Sequence, residues 1–441
     1  LSPERCPHMS ELLGFGSDLP WWAWALMIIG LIAFVSVLGA LFFPDWPSDD
    51  YTMGFEADPG SDRFVEWTAG FLNSPLFRGG EVQLLQNGDG FYPAMLKAIR
   101  EAKDTVNFET YIFEPDEIGQ QFIDAFKDRA RNGVEVRLLI DGFGGSKLKK
   151  RFRDDLERAG VKVVRFRPFA LRNLVRLYRR EHRRATVIDG RIGFTGGAAI
   201  SKKWKGNVTN RHEWRDSMTR VTGPMVAGIQ SAFAENWVYC TSEVLVGPRF
   251  FPHAPPGDGP CGLSVVSSPS DAMQPIRLLF WLSFINAHHR LWISNSYFIP
   301  DKRLRKAVVD RARNGVDVRV LVPGNHTDAI PVQAAGQSYY QELLEGGVRI
   351  FEYQPAMMHA KTVVIDSAWS IVGSANMDER SMELNEENVL GISDKEFAAC
   401  MERGLIEDYG RSREILLEQW RKRSLLRRGF ERLAKALIEQ Y

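Results

Sequence analysis

The sequence predicts an α/β fold in which one domain is duplicated, preceded by a single apolar helix near the N-terminus. Three observations lead to this prediction. An apolar run covers residues 21–43, one helix–turn–strand segment is repeated almost unchanged, and a block with histidine, a cation and aspartate also occurs twice. Repeats separated by well over a hundred residues indicate duplicated domains rather than a solenoid.

The apolar run from Trp21 to Phe43 contains one polar side chain, Ser36. At 1.5 Å per residue, a helix of this length crosses the roughly 30 Å hydrocarbon core of a bilayer. Tryptophans at its ends lie where interfacial aromatic belts occur. We therefore expect a transmembrane helix over 21–43, after an N-terminal segment over 1–20, with a buried core helix as the alternative. The flanking charges leave its orientation undecided.

Charge and cysteine content limit the other possibilities. Lys and Arg number 56 against 55 Asp and Glu, so attraction to nucleic acid or anionic lipid must come from local patches. The four cysteines show no spacing suited to zinc, and we expect neither a metal nor another cofactor. Free thiols are the expected state, although Cys240 and Cys261 could pair in an oxidising compartment.

The repeated segment is a helix end, an Asn-Gly turn and a buried strand. Residues 130–142 read ARNGVEVRLLIDG, and residues 312–324 read ARNGVDVRVLVPG. Each copy turns from a helical pattern into an apolar run, which is typical of a helix that feeds a buried strand. We divide the chain into a linker over 44–70, a first domain over 71–247, a Pro- and Gly-rich linker over 248–262 and a second domain over 263–441.

The second repeat carries the candidate chemistry. His182, Arg184 and Asp189 in the first half match His359, Lys361 and Asp366 in the second. A Gly-rich turn follows each block, with Thr195 and Gly197 in the first half and Ser374 and Asn376 in the second. The histidine and the cation two positions later share one face of a strand, because side chains alternate along strands.

Recurrence at equivalent positions of two domains indicates one composite site between them. A lone His beside a cation is usually a half-buried polar edge, but two such pairs would bring two imidazoles and two cations together. A phosphodiester needs its charge neutralised, a nucleophile, and an acid for the leaving alkoxide. The constellation therefore favours phosphoryl transfer without a metal.

These blocks resemble the paired HxKxxxxD motifs of the phospholipase D superfamily, with the GG or GSxN turn that follows them. The resemblance to bacterial cardiolipin synthases continues through Trp214-Arg215-Asp216 and covers most of the chain from about Phe71. It implies duplicated phospholipase D-like α/β sandwich domains with a composite site. The first motif departs from the family pattern, because Arg184 stands where Lys is usual, although arginine still supplies a cation and a phosphate fork.

The resemblance also implies roles for the residues. His182 is expected to attack phosphorus and His359 to protonate the leaving alcohol, with a covalent phosphohistidine between the two steps. Arg184 and Lys361 would hold phosphate oxygens. The remaining expected roles are a phosphate cradle from Thr195, Gly197, Ser374 and Asn376, loop fixation by the motif residues Asp189 and Asp366, and orientation of a histidine by Glu387 and Asp216. An ordinary surface carboxylate is the alternative for Glu387 and Asp216.

The expected function is that of a cardiolipin synthase-like phosphatidyltransferase. It would move a phosphatidyl group between phosphatidylglycerol molecules and release glycerol, at the bacterial cytoplasmic (inner) membrane as a single-pass protein. Basic segments with aromatic and aliphatic residues over 165–184 and 420–437 are interpreted as lipid-facing, with a solvated face as the alternative. Hydrolysis of phospholipid is the near alternative and a tethered nuclease a more distant one. No nucleic-acid partner is expected, and the oligomeric state is open, with a homodimer among the options.

Overall fold

The computed structural model describes residues 20–42, 50–168, 178–269 and 273–438. It divides into two compact units, Leu1–Met53 and Gly54–Tyr441. Almost all of the predicted N-terminal segment, the start of the predicted linker and the middle of the first basic segment lie outside the described residues; these parts are 1–19, 43–49 and 169–177.

The apolar run forms helix α1, Trp21–Phe42, in the first unit. Leu26 and Ile29 of this helix each expose about three fifths of their surface, 61% and 62%. Among the residues that the structure describes, no helix is long and apolar enough to cross a bilayer. The helix itself is confirmed, whereas the membrane crossing over 21–43 stays a prediction.

The second unit contains twelve further helices and sixteen strands in its described part. The helices are α2 Asp62–Phe71, α3 Asn87–Glu101, α4 Glu117–Arg131, α5 Lys150–Arg158, α6 Val226–Thr241, α7 Pro275–Ile285, α8 Lys302–Arg313, α9 Ile330–Gln337, α10 Tyr340–Glu345, α11 Lys395–Gly410, α12 Leu417–Arg421 and α13 Leu425–Ile438.

The strands of the first half are β1 Leu76–Arg78, β2 Val82–Gln86, β3 Thr105–Thr110, β4 Glu135–Asp141, β5 Lys162–Phe166, β6 Ala185–Ile188, β7 Ile192–Gly196 and β8 Ser217–Thr222. Those of the second half are β9 Cys261–Ser267, β10 Arg290–Asn295, β11 Asp317–Pro323, β12 Arg349–Tyr353, β13 Lys361–Ile365, β14 Trp369–Gly373, β15 Glu387–Ser393 and β16 Ser412–Ile415.

Two sheets repeat one topology and confirm the predicted duplication. The first sheet has the order β2-β8-β7-β6-β3-β4-β5, and the second contains the matching order β9-β15-β14-β13-β10-β11-β12. In each sheet two parallel pairings, β3 to β4 to β5 or β10 to β11 to β12, lie beside antiparallel strands. The second sheet has β1 and β16 as additional edge strands. Strand β1 precedes the rest of the first half but pairs with β9.

The repeated segment folds as predicted because its caps and turns are also repeated. Asp116 accepts hydrogen bonds from two main-chain amides at the start of α4, and Asp301 does the same at the start of α8. Both helices end at an Asn-Gly turn, where Gly133 and Gly315 have φ values of +86° and +89°. Glycine adopts this left-handed conformation without steric cost, so each helix turns directly into a buried strand.

One apolar core extends across both halves of the second unit. It includes Phe233 and Trp237 of α6, Met401 of α11 and Trp292 of β10. Helix α6 contacts β6 and β7 of the first sheet and also β9 of the second, and α11 contacts β13, β14 and β2. Because these two helices pack on both sheets, the halves are fixed relative to each other and can form one site.

The cysteines within the described residues, Cys240, Cys261 and Cys400, are free thiols. The pairing of Cys240 with Cys261 that the sequence left open is therefore absent from this structure, and burial raises the pKa of Cys240 to about 12. Strand β9 begins at Cys261, near the end of the predicted 248–262 linker. The domain boundaries stay predictions.

Candidate active site

Each of the two motif histidines binds a carboxylate from the opposite half of the chain. Nδ1 of His182 lies 2.9 Å from Oε1 and 3.0 Å from Oε2 of Glu387, the first residue of β15. Nδ1 of His359 lies 2.7 Å from Oδ2 of Asp216, next to β8. An ionised carboxylate only accepts, so Nδ1 donates in both rings and Nε2 remains available for chemistry. Both carboxylates are fully buried, so neither is a surface carboxylate.

Main-chain hydrogen bonds between the halves hold each pair in place. The amide of His182 donates to the carbonyl of Glu386 at 2.9 Å, and the amide of His359 donates to the carbonyl of Arg215 at 2.8 Å. Each carbonyl belongs to the residue just before the carboxylate that the imidazole contacts. The same short bridge is therefore built twice, and it fixes the separation of each ring from its carboxylate.

The two carboxylates have different supports. Glu387 accepts a hydrogen bond from the Ser374 hydroxyl at 2.5 Å and from Asn385 Nδ2 at 3.2 Å. Asp216 accepts instead from the indole Nε1 of Trp204 at 2.8 Å and from the amide of Ser217 at 2.8 Å.

Gly197 follows β7, as Ser374 follows β14, and it leaves the room that Asp216 needs. A Cβ atom at Gly197 would lie 2.3 Å from Oδ1 of Asp216. The glycine that the sequence assigns to a phosphate cradle therefore also makes space for a buried carboxylate.

Both motif cations fold back onto the main chain of their own histidine. Lys361 Nζ donates to the carbonyl of His359 at 2.6 Å and lies over the edge of that ring, 3.1 Å from Nδ1 and 3.3 Å from Nε2. Arg184 donates through Nη1 to the carbonyl of His182, and its Nη2 lies 3.3 Å from Nε2 of His182. Each cation thus lies next to the imidazole nitrogen that is free to react, where the oxygens of a bound phosphate would be neutralised.

Burial and neighbouring cations set the protonation of the site. Burial lowers the pKa of His182 to about 4, and the charge of Arg184 acts in the same direction. Burial, followed by the charge of Lys361, also lowers the pKa of His359. Burial lowers the pKa of Lys361 to about 8. Near neutral pH both imidazoles are therefore neutral in the free site, and Nε2 of each carries a lone pair.

The carboxylate of Glu387 is held ionised although it is buried. Burial opposes its charge, but His182 and the Ser374 hydroxyl stabilise the ionised form more strongly, so that the pKa of Glu387 is lowered. A neighbouring anion stabilises the imidazolium that forms when a histidine takes up a proton or bonds to phosphorus. This geometry can therefore support nucleophilic or acid catalysis by His182.

The remaining predicted residues occupy different places. Asp189 accepts from three consecutive amides, those of residues 103–105, and Asp366 accepts from the amides of residues 288–290. Both aspartates have φ near +50°. Each lies at the opposite end of a strand from its histidine, so a strand length of roughly 20 Å separates it from the imidazole. This position agrees with the expected loop role.

Thr195 and Asn376 are bound to other protein groups. The hydroxyl of Thr195 accepts from Asn388 Nδ2 at 2.9 Å. Oδ1 of Asn376 accepts from Ser296 Oγ at 2.7 Å, and Ser296 in turn accepts from Lys361 Nζ at 2.7 Å. Asn376 is therefore connected to the cation, whereas Thr195 supports the contact between the halves.

Several residues of the site were not singled out from the sequence for a role. The rings of Trp204 and Trp214 pack against His359 with centroid distances of 5.2 and 5.3 Å, and Tyr111 packs against His182 at 5.2 Å. Ser296 and Asn388 supply the hydrogen bonds described above. Trp214 lies in a segment that carried the family resemblance, but Trp204 has no counterpart in a repeat that would have indicated it.

Within the described residues, no cluster of three or more His, Cys, Asp and Glu side chains is arranged to hold a metal. The site instead presents two neutral imidazoles, each backed by a carboxylate and accompanied by a cation. These groups fit an anionic phosphodiester that is attacked by one nitrogen and protonated by another. Fold and site together define a duplicated α/β protein with a single composite centre of paired histidines.

Comparisons with known proteins place that class in a family. The family model described as "Cardiolipin synthase, PLD-like domain" matches residues 95–217 and 282–408, one segment in each half. Cardiolipin synthase A of Pseudomonas fluorescens SBW25 is 36% identical over 82% of this chain and 75% of its own. Cardiolipin synthase 1 of Bacillus anthracis is 34% identical over 86% of this chain and 77% of its own.

The solved structure of phosphatidylserine synthase from Haemophilus influenzae Rd KW20 has the same fold. It superposes with a TM-score of 0.64 over 85% of this chain and 96% of that one, at 15% identity. The chain belongs to the phospholipase D-like family of cardiolipin synthases. The superfamily and the enzyme class predicted from the sequence, a phosphatidyltransferase, are therefore confirmed.

Proposed function

We propose that the enzyme transfers a phosphatidyl group from one phosphatidylglycerol to another, releasing glycerol through a covalent phosphohistidine. The crosswise pairing of His182 with Glu387 and of His359 with Asp216 carries this proposal. Two imidazoles that are each paired with a carboxylate can divide the chemistry: one forms and releases the bond to phosphorus, and the other acts first as acid and then as base, as a two-step transfer requires.

In the first step, Nε2 of His182 attacks phosphorus while His359 protonates the departing glycerol oxygen. The P–O bond to glycerol breaks as the N–P bond forms, and Glu387 stabilises the resulting charge on His182. His359 needs a proton for this step. The negative charge of a bound phosphodiester opposes the effect of Lys361 and raises the pKa of His359 toward the required range.

In the second step, neutral His359 accepts the proton of an acceptor hydroxyl, whose oxygen attacks phosphorus and releases His182. Arg184 and Lys361 would neutralise the nonbridging oxygens throughout. When the acceptor is a second phosphatidylglycerol, the product is cardiolipin. When the acceptor is water, the product is phosphatidic acid. Hydrolytic phospholipase D activity is therefore the alternative, and it differs only in which hydroxyl compound enters second.

A donor with a good leaving group separates the two histidine roles. Phosphatidyl-p-nitrophenol needs no acid to expel its phenolate, so the His359→Asn enzyme should release nitrophenolate and retain labelled phosphatidyl on the protein. The His182→Asn enzyme should form no labelled protein. Label retained by His182→Asn but not by His359→Asn would reverse the assignment, and label on neither variant would reject the covalent route.

Product analysis tests the choice of acceptor. Purified enzyme supplied with phosphatidylglycerol should release glycerol and cardiolipin in equal amounts. Release of phosphatidic acid in place of cardiolipin would establish the hydrolase.

A further inference from the structure

The C-terminal helix α13 is packed with its polar side inward. Glu431 of this helix is 2% exposed, whereas Leu426 is 87% exposed. Glu431 accepts from Arg423 at 3.0 Å and pairs with Arg427 of the same helix at 3.3 Å. Arg427 also donates to Gln337 of α9 at 3.2 Å, so a polar contact links the helix to its neighbour. A surface helix of a soluble domain normally shows the opposite arrangement, with its apolar side on the core.

The outer side of α13 is a continuous apolar stripe. Its large side chains recur at intervals of four, three and four residues, and all of them are at least half exposed; they are Leu426, Phe430, Leu433 and Leu437. This spacing puts them on one face of the helix. Such a face contributes nothing to the core of the described unit, so the sequence of α13 is explained by a partner that covers the stripe.

Charge around the stripe indicates which partner. Residues 421–437 contain seven basic side chains and one acidic side chain. A cavity of about 380 Å³ at the inner edge of α13 is lined by one further arginine, Arg313, together with three arginines of this segment and three glutamates, and Nε of Arg428 is buried there without a hydrogen-bond partner among the described residues. An apolar stripe flanked by positive charge fits the surface of a bilayer that contains anionic phospholipid.

Helix α13 packs on a helix that begins close to the catalytic centre. Helix α13 packs on α9, and α9 begins two residues after Asp328. Asp328 accepts from the Tyr297 hydroxyl at 2.8 Å, and its charge acts on both His359 and Lys361. The stripe is therefore connected to the catalytic centre through one short helix.

We infer that α13 is an in-plane docking helix, which inserts its apolar stripe into the headgroup boundary of an anionic phospholipid bilayer while its basic residues contact lipid phosphates. The stripe includes none of the catalytic residues. It would hold the mouth of the catalytic unit at the bilayer, whichever hydroxyl compound completes the reaction.

Fluorescence at one position of the full chain tests this inference without any turnover, and hence independently of the proposed reaction. Leu433 is replaced by an environment-sensitive fluorescent amino acid, and the chain is reconstituted in vesicles of phosphatidylcholine with phosphatidylglycerol. We expect blue-shifted emission that is quenched by lipids brominated in the acyl chain and protected from aqueous iodide. The same probe at Val246, an exposed apolar residue in the loop after α6, is the matched control and should show iodide quenching.

Charge and lipid composition provide the second arm of the test. Vesicles of phosphatidylcholine alone, or the double substitution Lys422→Gln and Arg432→Gln, should reduce the acyl-chain quenching at 433 severalfold, because the anionic attraction is weakened. Iodide quenching at 433 equal to that at 246 would overturn the inference. A blue shift that follows protein concentration and ignores brominated lipid would also overturn it, and would assign the stripe to a second copy of the chain.

Discussion

Nδ1 of His359 lies 2.7 Å from Oδ2 of Asp216, although 143 residues separate them along the chain. The His182–Glu387 pair spans the halves in the opposite direction. Each half therefore lacks the carboxylate that orients its own histidine, and a functional centre requires both halves to be docked. This reciprocal exchange makes the carboxylates the most informative residues to change.

Removing the charge of Asp216 while keeping its shape should impair catalysis far more than folding. In Asp216→Asn the amide can present either a donor or an acceptor to Nδ1, so the ring loses its enforced tautomer and the stabilisation of its positive form. We expect kcat to fall by about a hundredfold or more, with little change in KM. Steady-state rates on dispersed phosphatidylglycerol measure this effect.

The matched variant is Glu387→Gln in the other pair, and it should show a defect of similar size. Both variants should keep a melting temperature near that of the parent chain. If either carboxamide variant retained most of its kcat, the corresponding contact would be a structural one with no part in positioning the imidazole.

The sequence was sufficient to find the histidines and the cations because both occur within a recognisable repeated motif. It also suggested Glu387 and Asp216 as counterparts, but it could not show which histidine each one contacts. That relationship depends on how α6 and α11 dock the two sheets. Trp204 was missed for a related reason. Its indole donates to Asp216, whereas the hydroxyl of Ser374 donates to Glu387, so the two supports differ in residue type and form no repeated motif.

For the fold, the repeated helical pattern, Asn-Gly turn and apolar run predicted the helix–strand units and the duplication. The edge strands could not be predicted, since β1 precedes the first sheet in sequence but pairs with β9. Short strands such as Leu76–Arg78 carry little periodic signal, and their partner is chosen by tertiary packing. The apolar run predicted helix α1. Whether that helix crosses a bilayer depends on its interaction with lipid, which the amino-acid sequence alone does not describe.

The pH dependence of kcat/KM should have an acid limb set by His182 and an alkaline decline to which His359 and Lys361 both contribute. His182 attacks only when neutral, and its pKa of about 4 means that the nucleophile becomes protonated, and the rate falls, only as the pH drops toward 4. Lys361 neutralises phosphate only when protonated, and its pKa of about 8 predicts a fall as the pH rises through 8. His359 must carry a proton in the first step, and burial lowers its pKa in the free enzyme, so kcat/KM should already decline at pH values below the fall set by Lys361.

Substitution at Lys361 identifies the alkaline limb. Lys361→Arg keeps its charge at all accessible pH values, so the fall near pH 8 should disappear even if the maximal rate is lower, whereas the decline that His359 sets at lower pH should remain. In the saturated enzyme, bound phosphate should favour the protonated lysine and move the limb of kcat upward relative to that of kcat/KM. An unchanged alkaline limb in Lys361→Arg would show that another group titrates there.

Gly197 should tolerate no side chain, because Asp216 fills the space beside it. A Cβ would approach Oδ1 of Asp216 to 2.3 Å, and that carboxylate is already fixed by His359 and Trp204. Gly197→Ala should therefore lower kcat by about tenfold or more through displacement of the carboxylate. Gly410→Ala is the control, since nothing lies within 4 Å of a Cβ at that position. Equal activity of both variants would show that Asp216 can move without consequence.

Arg184 is the motif residue that departs from the family pattern, and its geometry supports a specific expectation for its replacement. Lys361 reaches the carbonyl of its own histidine at 2.6 Å, and Arg184 makes the equivalent contact. A lysine at 184 can therefore occupy the same place, and Arg184→Lys should keep most of the activity, because the cation remains and only the fork is lost.

Arg184→Ala should be much slower. A charge-assisted contact to phosphate that strengthens in the transition state contributes on the order of a few kcal/mol, which corresponds to a hundredfold or more in kcat. The competing view assigns Arg184 to the basic segment over 165–184 as a source of general attraction to anionic lipid. Its exposed fraction of 3% speaks against that view, because a surface attraction needs a solvent-facing charge.

A salt series at saturating dispersed substrate separates the two accounts. A phosphate contact inside the site predicts a defect in Arg184→Ala that is nearly independent of ionic strength, because buried pairs are little screened. Arg191→Ala is the matched control, since Arg191 is an exposed arginine of the same half, and it should lose activity only slightly and in a salt-dependent way. An Arg184→Ala enzyme within a few-fold of the parent at every salt concentration would leave Lys361 as the cation that stabilises the transferred phosphate.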